Sequence, residues 1–280
     1  MDTITATTAI TDTVIPLMPM TIRAIVDALE TLAPLAYQED YDNAGLQVGL
    51  IDDEVTGVLL CLDITEDIIA EAVRKGCNLV VSHHPLIFRP LKSVTGANYQ
   101  QRCVMEAVRH GIALYSAHTN LDNARDGVNY RIASKIGLRD LEWIEEKPAP
   151  GGSCGSGVIG TLPSPETAAD FLLRLKDIFG VRCLMHTDPS GLMLHRIALC
   201  GGAGSFLMDE ARAKGADAFI TGEISYHHFF DADGMLLIAM GHYQSEQFTK
   251  DLMRDFLAAR FPELRIEMTS IDSNPIHYTC

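Results

Sequence analysis

Two histidines stand side by side at positions 83 and 84, after the apolar run Asn78-Leu-Val-Val-Ser82 and before Pro85. The run predicts a strand, and successive side chains on a strand point to opposite faces. Adjacent histidines so placed suit two neighbouring cations better than one. Pro85 restrains His84 to an extended backbone. The alternative is one packed imidazole and one exposed one. His242 and Glu246 lie four apart, after the apolar run Leu236–Met240 and Gly241. That spacing puts both on one helix face in a first turn, where the dipole favours an ionised carboxylate. A capping role for Glu246 is the alternative. His118 and Asp122 follow a third apolar run, Ile112–Ser116; Asp122 could instead cap the helix expected after Gly127. Together the three strand ends gather histidines and two carboxylates, a fitting inner shell for a two-metal site of zinc, manganese or iron.

The elements that must hold these residues follow one rhythm: a short, continuously apolar strand, a polar turn, then an amphipathic helix. Strands are expected at 58–62, 78–82, 112–116, 197–200, 216–220 and 236–240, with helices at 22–32, 66–75, 168–178, after 205 and from 242 to about 260. Strands apolar on both faces and alternating with helices imply a largely parallel sheet covered on both sides, an α/β fold. In such sheets ligands bind at the carboxyl ends of the strands. His83, His84, His118, Asp122, Glu223, His242 and Glu246 all fall there, whereas His110, His186 and His195 do not and read as structural. Residues 1–20 read as a weakly structured leader. The Pro/Gly-rich stretch 148–157 reads as a linker or glycine-lined turn between two α/β lobes.

The chain has 280 residues and a net charge of −15, enough for two domains and acidic enough to make general nucleic-acid binding an unfavoured function. Its seven cysteines are scattered, with no Cys-x-x-Cys pair. This pattern reads as a reduced, cytoplasmic protein without a cysteine-based zinc site. No apolar run approaches membrane-spanning length, and the N-terminus lacks a basic segment of the secretory kind. Arg89 and Lys92 could meet a phosphate near the histidine pair, or simply be solvated. Gly201-Gly-Ala-Gly-Ser205 could cradle an anion, though without the full dinucleotide fingerprint.

Five segments, Tyr41-Asp-Asn-Ala-Gly-Leu-Gln-Val-Gly49, Val80-Val-Ser-His-His-Pro-Leu86, Ala117-His-Thr-Asn-Leu-Asp122, Thr221-Gly-Glu223 and Gly241-His-Tyr-Gln-Ser-Glu246, occur in this order. In combination they resemble the YbgI-like family of dinuclear-metal toroidal proteins, also called Nif-three-like and often named GTP cyclohydrolase 1 type 2 homologue. The resemblance runs from about residue 21 to 280. It implies two interlinked α/β/α lobes, one from 21–140 plus 236–280 and the other from 141–235. It also implies a homohexameric ring and two divalent ions facing an inner cavity. By motif, His83, His84, Asp122, His242 and Glu246 would be the metal ligands, with Glu246 bridging. His118, Glu223, His227 and Tyr243 would surround the cavity, with Glu223 or His227 as proton shuttle. The implied activity is metal-dependent hydrolysis of a nucleotide or phosphoester. A metal-storage, regulatory or scaffold protein without turnover is the alternative.

Overall fold

A computed structural model describes residues 20–149 and 152–279. The expected leader therefore lies almost wholly outside the described residues. Strands are β1 Gly45–Val48, β2 Val58–Cys61, β3 Leu79–Ser82, β4 Ala113–Ser116, β5 Arg139–Ala149, β6 Gly152–Thr167, β7 Met185–His186, β8 Met193–Cys200, β9 Ala218–Thr221, β10 Leu236–Ala239 and β11 Ile266–Met268. Helices are α1 Ile22–Leu32, α2 Glu66–Lys75, α3 Tyr99–Arg109, α4 Thr119–Asp122, α5 Val128–Ile136, α6 Ala168–Phe179, α7 Met208–Ala213, α8 His242–Glu246 and α9 Thr249–Arg260.

The strands form two sheets, ordered β1-β4-β3-β2-β11 and β5-β6-β8-β9-β10-β7. In the first, β4, β3, β2 and β11 are parallel and only β1 runs against its neighbour. In the second, β8, β9 and β10 are parallel, while β5, β6 and β7 pair antiparallel. The central strands carry no polar stripe because both faces are covered. Leu59, Cys61, Val80 and Leu114 pack under α2 and α3. The alternate residues Val58, Leu60, Val81 and Tyr115 face a core that also takes Ile197, Ile220 and Ile238 of the second sheet. One layer, with α1, α5 and α9, thus lies between the two sheets and gives the lobes a common core.

The expected helices at 22–32, 66–75 and 168–178 are found within a residue of those bounds, whereas the single helix expected from 242 to about 260 is two, α8 and α9. Thr65 caps α2 by accepting from Ile68 N, Glu66 and Asp67 fill the first turn, Arg74 and Lys75 the last, and Gly76 closes it in the left-handed region.

Two expectations need correction. Of the two readings of the stretch 148–157, the interlobe linker fails: residues 148–149 end β5 and 152–157 begin β6, an antiparallel pair running from Arg139↔Thr161 to Ala149↔Gly152, as the alternative of a reversal in the chain expects. Its glycines serve close packing, since a Cβ on Gly155 would lie 2.5 Å from Trp143 Cγ. And the strand at 236–239, placed in the first lobe by the expected boundary, hydrogen-bonds with β9 in the second sheet. The chain returns to the first sheet only at β11, beside β2.

Candidate metal centre

Strands of both sheets end at one place. β3 leads into His83 and His84, β4 into His118 and α4, and β10 into Gly241 and α8. His83, wholly buried, donates its Nδ1–H to the Ala117 carbonyl oxygen (2.7 Å). Its Nε2 points at two carboxylates, 3.6 Å from Asp122 Oδ1 and 3.6 Å from Glu246 Oε1. Neither His83 Nε2 nor Asp122 Oδ1 has a hydrogen-bond partner, although both atoms are buried. Such orphaned polar atoms are costly unless something else occupies the space between them.

His84 Nε2 approaches Glu246 Oε2 at 3.0 Å and His242 Nε2 at 3.3 Å, and His242 Nε2 lies 3.3 Å from the same Oε2. Four-coordinate zinc with bonds of ~2.1 Å holds its donors roughly 3.4 Å apart. The spacings on both sides of Glu246 are close to that. His83, His84 and Glu246 form a group able to hold a metal ion, and Asp122 and His242 stand within reach of it.

Each imidazole is oriented from behind, as metal-binding histidines usually are. Asp63 Oδ1 takes His84 Nδ1 at 2.7 Å and is itself held by Ser273 Oγ on its other oxygen. Glu223 Oε1 takes His242 Nδ1 at 2.9 Å. Asp42 Oδ1 takes His118 Nδ1 at 2.7 Å, while its second oxygen accepts from Thr119 N at 3.1 Å.

The charge balance points the same way. Burial raises the Asp122 carboxyl, assisted by Glu246 and opposed by His83, to about 7. Glu246 is buried too, but His83, His242 and His84 outweigh that cost and hold it well below the usual carboxylate range. Burial opposes the charge on His84, yet Asp63 and Glu246 lift it to about 10; His242, likewise buried, is lifted by Glu246 to about 9. A buried carboxylate cluster here draws positive charge to itself, which protons on imidazoles supply when no metal does.

Two cavities flank the cluster. One, of about 230 Å³, is bounded by His118, Asp122, His242 and Glu246, with Glu39 and Phe206 also in its wall. The other, of about 350 Å³, has Asp63, His84, Glu223, Tyr243 and Ile276 in its wall.

All five residues proposed as ligands therefore converge, and His118, Glu223 and Tyr243 lie around them. His227 does not. It is exposed on a 3-10 turn, stacked edge-on against Tyr226 at 5.4 Å between ring centroids, and lines neither cavity. Arg89 and Lys92 are exposed and line neither one. The glycine loop is not an anion cradle: Gly201 N donates to Asn129 Oδ1, Gly202 N to Ser245 Oγ and Gly204 N to Thr221 Oγ1. Its glycines make room instead, since a Cβ on Gly202 would lie 2.4 Å from Glu246 Oε1. Sequence reasoning passed over Asp63, which follows β2 as the ligands follow their own strands. It also passed over Asp42 and Glu39, which no strand end marks. Among the described residues, no helix is long and apolar enough to cross a membrane.

The chain is 35% identical over 253 residues to a GTP cyclohydrolase 1 type 2 homolog of Lactococcus lactis, covering 89% of this chain and 95% of that protein. It is 31% identical over 263 residues to the protein of the same name from Streptococcus pneumoniae, covering 91% and 98%. The fold matches the crystal structure of Staphylococcus aureus protein SA1388 with a TM-score of 0.85 at 28% identity, over 94% of this chain and all of that one. A sequence profile of Duf34/NIF3 (NGG1p interacting factor 3) matches residues 20–275, and the chain belongs to that family.

Proposed function

We propose that the protein binds two divalent cations and uses them to hydrolyse a nucleotide or phosphoester. The observation that carries this reading is the division of donor atoms about Glu246. Oε1 faces His83 Nε2, beside Asp122, and Oε2 faces His84 Nε2 and His242 Nε2. One carboxylate is thus shared by two groups of donors, the arrangement a bridged pair of ions requires. When bound, such a pair lowers the pKa of water toward neutrality and stabilises negative charge on the attacking and leaving oxygens. Zinc, iron and manganese all suit imidazole-carboxylate donors.

The chain's own residues would handle orientation and protons. Asp42 fixes the His118 ring through Nδ1, so Nε2 is the ring nitrogen left to exchange a proton in the 230 Å³ cavity. Glu223, paired with His242 Nδ1, holds that imidazole with its Nε2 toward the cluster and is the second proton-handling group. His227 has no part in this reading. A six-copy ring and a cytoplasmic location complete it; five of the six described cysteines are buried and all are free, as a reducing compartment allows. The name borne by the relatives, GTP cyclohydrolase 1 type 2 homolog, makes guanine nucleotides the first substrates to try.

The test is a hydrolysis screen of metal-loaded protein against nucleoside triphosphates and aryl phosphoesters, with chelator and Asp42→Asn as controls. The reading expects turnover that chelation abolishes and Asp42→Asn lowers about 100-fold, within the span of general acid-base contributions. Full metal occupancy without turnover on any substrate would favour the storage alternative.

A further inference from the structure

Glu39 lines the 230 Å³ cavity together with the proposed ligands Asp122, His242 and Glu246, and is held there by two strands and a loop. Its Oε1 accepts from Lys147 Nζ on β5 and from Asn123 Nδ2 at 2.8 Å. Ser156 Oγ on β6, 3.4 Å away, shares its proton between this oxygen and Asn123 Oδ1. Glu39 N donates to Thr119 Oγ1, so the backbone is fixed as well. Among the described residues no donor reaches Oε2, and the side chain, which lines the cavity, stays 25% exposed.

Two further features describe what this oxygen meets. The one cation beside it, Lys147, is already spent on Oε1, and the other charged residues in the wall are Asp122 and Glu246 with the histidines. Among the described residues, the cavity wall therefore carries carboxylates and no lysine or arginine. It also has flat walls: Tyr41 and Phe206 are 64% and 58% exposed, and Phe88 lies edge-on to both Tyr41 and His118. Exposed rings at a cavity mouth favour stacking on another flat ring. The volume sits just under the ~300 Å³ where small-molecule pockets begin, so it admits a ring system rather than a whole nucleotide.

We propose that Glu39 is the specificity-determining acceptor of this cavity, its Oε2 receiving an edge N–H or amino donor of a flat nitrogen heterocycle such as guanine. The ring lies between the aromatic residues and the His83–His84–Glu246 cluster. This rests on reading the cavity as the substrate side of the centre, and it adds which end of the substrate enters and what reads it. Rings without a donor on that edge cover the carboxylate oxygen and leave it unsatisfied, and such sites discriminate strongly.

The substitution Glu39→Gln reverses the chemistry rather than deleting it. Lys147 and Asn123 are donors, so the amide oxygen stays with them and the amide NH2 takes the place of Oε2. A donor then faces the cavity, and donor-bearing rings are repelled.

The experiment is calorimetric titration of metal-loaded full-length protein with guanosine and with purine riboside, which lacks N–H donors on that ring edge. Wild type is expected to bind guanosine tenfold or more tightly than purine riboside, the value of about one hydrogen bond to a charged group. Glu39→Gln is expected to erase or invert that preference with metal content unchanged. Equal binding of the two ligands by wild type, or no binding of either, overturns the proposal whether or not the variant folds. So does a guanosine preference that survives in a folded Glu39→Gln. The assay reads no turnover, so inactivity in the hydrolysis screen leaves this test standing.

Discussion

The two oxygens of Glu246 face different histidines: Oε1 lies 3.6 Å from His83 Nε2, and Oε2 lies 3.0 Å from His84 Nε2. The side chain is nearly inaccessible, 4% exposed, and reaches this position from the end of α8 after β10, in the second sheet. The histidines come from β3 in the first sheet. The centre therefore straddles the seam between the lobes, and anything that displaces Glu246 acts on both groups of donors together.

Gly202 gives the most selective way to do so. It has φ +60°, and a Cβ there would meet Glu246 Oε1. Gly202→Ala is expected to cost about 1–2 kcal/mol of stability from the left-handed backbone and to push Glu246 aside. Thermal melting should show a folded protein, while metal analysis after reloading should show at least a tenfold loss of affinity.

Asp63 orients His84 without touching the proposed ions' other donors. Asp63→Asn keeps the size but no longer holds the ring with the same tautomer and charge. Metal affinity is expected to fall about 10- to 100-fold. Ser273→Ala, which frees the other Asp63 oxygen, should give a smaller loss in the same direction. A competition titration against a chromogenic chelator reads both.

Acid stability should depend on a different carboxylate. Glu71 of α2 is 3% exposed, accepts from Thr269 Oγ1, Ser270 N at 3.0 Å and Ser270 Oγ at 2.8 Å in the C-terminal segment, and pairs with Lys75 one turn on in its own helix. Burial alone would raise it, but these donors bring it from 4.5 down to about 2. Because the folded value is the lower one, its contribution is present in full above about pH 4.5 and is lost as the pH falls toward 2. Glu71→Gln is expected to cost about 1–3 kcal/mol at neutral pH. It should also flatten the decline of stability in that acid window, as denaturant melts across pH would show.

The proposed ligands were readable in the sequence because each sits within a few residues of a strand's carboxyl end, and strand ends are local features. Their supports were not. Asp63 and Asp42 meet histidines 21 and 76 positions away, and Ser273 closes on Asp63 across 210. Nothing in local composition encodes such pairings. β10 was found as a strand, but a run buried on both faces carries no address, so its place in the second sheet could come only from pairing with β9. The stretch 148–157 misled for the opposite reason: glycines that mark turns in most settings here lie under Trp143 in a paired strand.

The measurement that bears most directly on the account is metal content per chain by plasma mass spectrometry, on protein stripped with chelator and reloaded. Wild type should hold about two ions, Asp122→Ala about one, and Glu246→Ala close to none, with all three folded by circular dichroism. Wild type with no stoichiometric metal, or Glu246→Ala retaining the full complement, would contradict a centre bridged by Glu246.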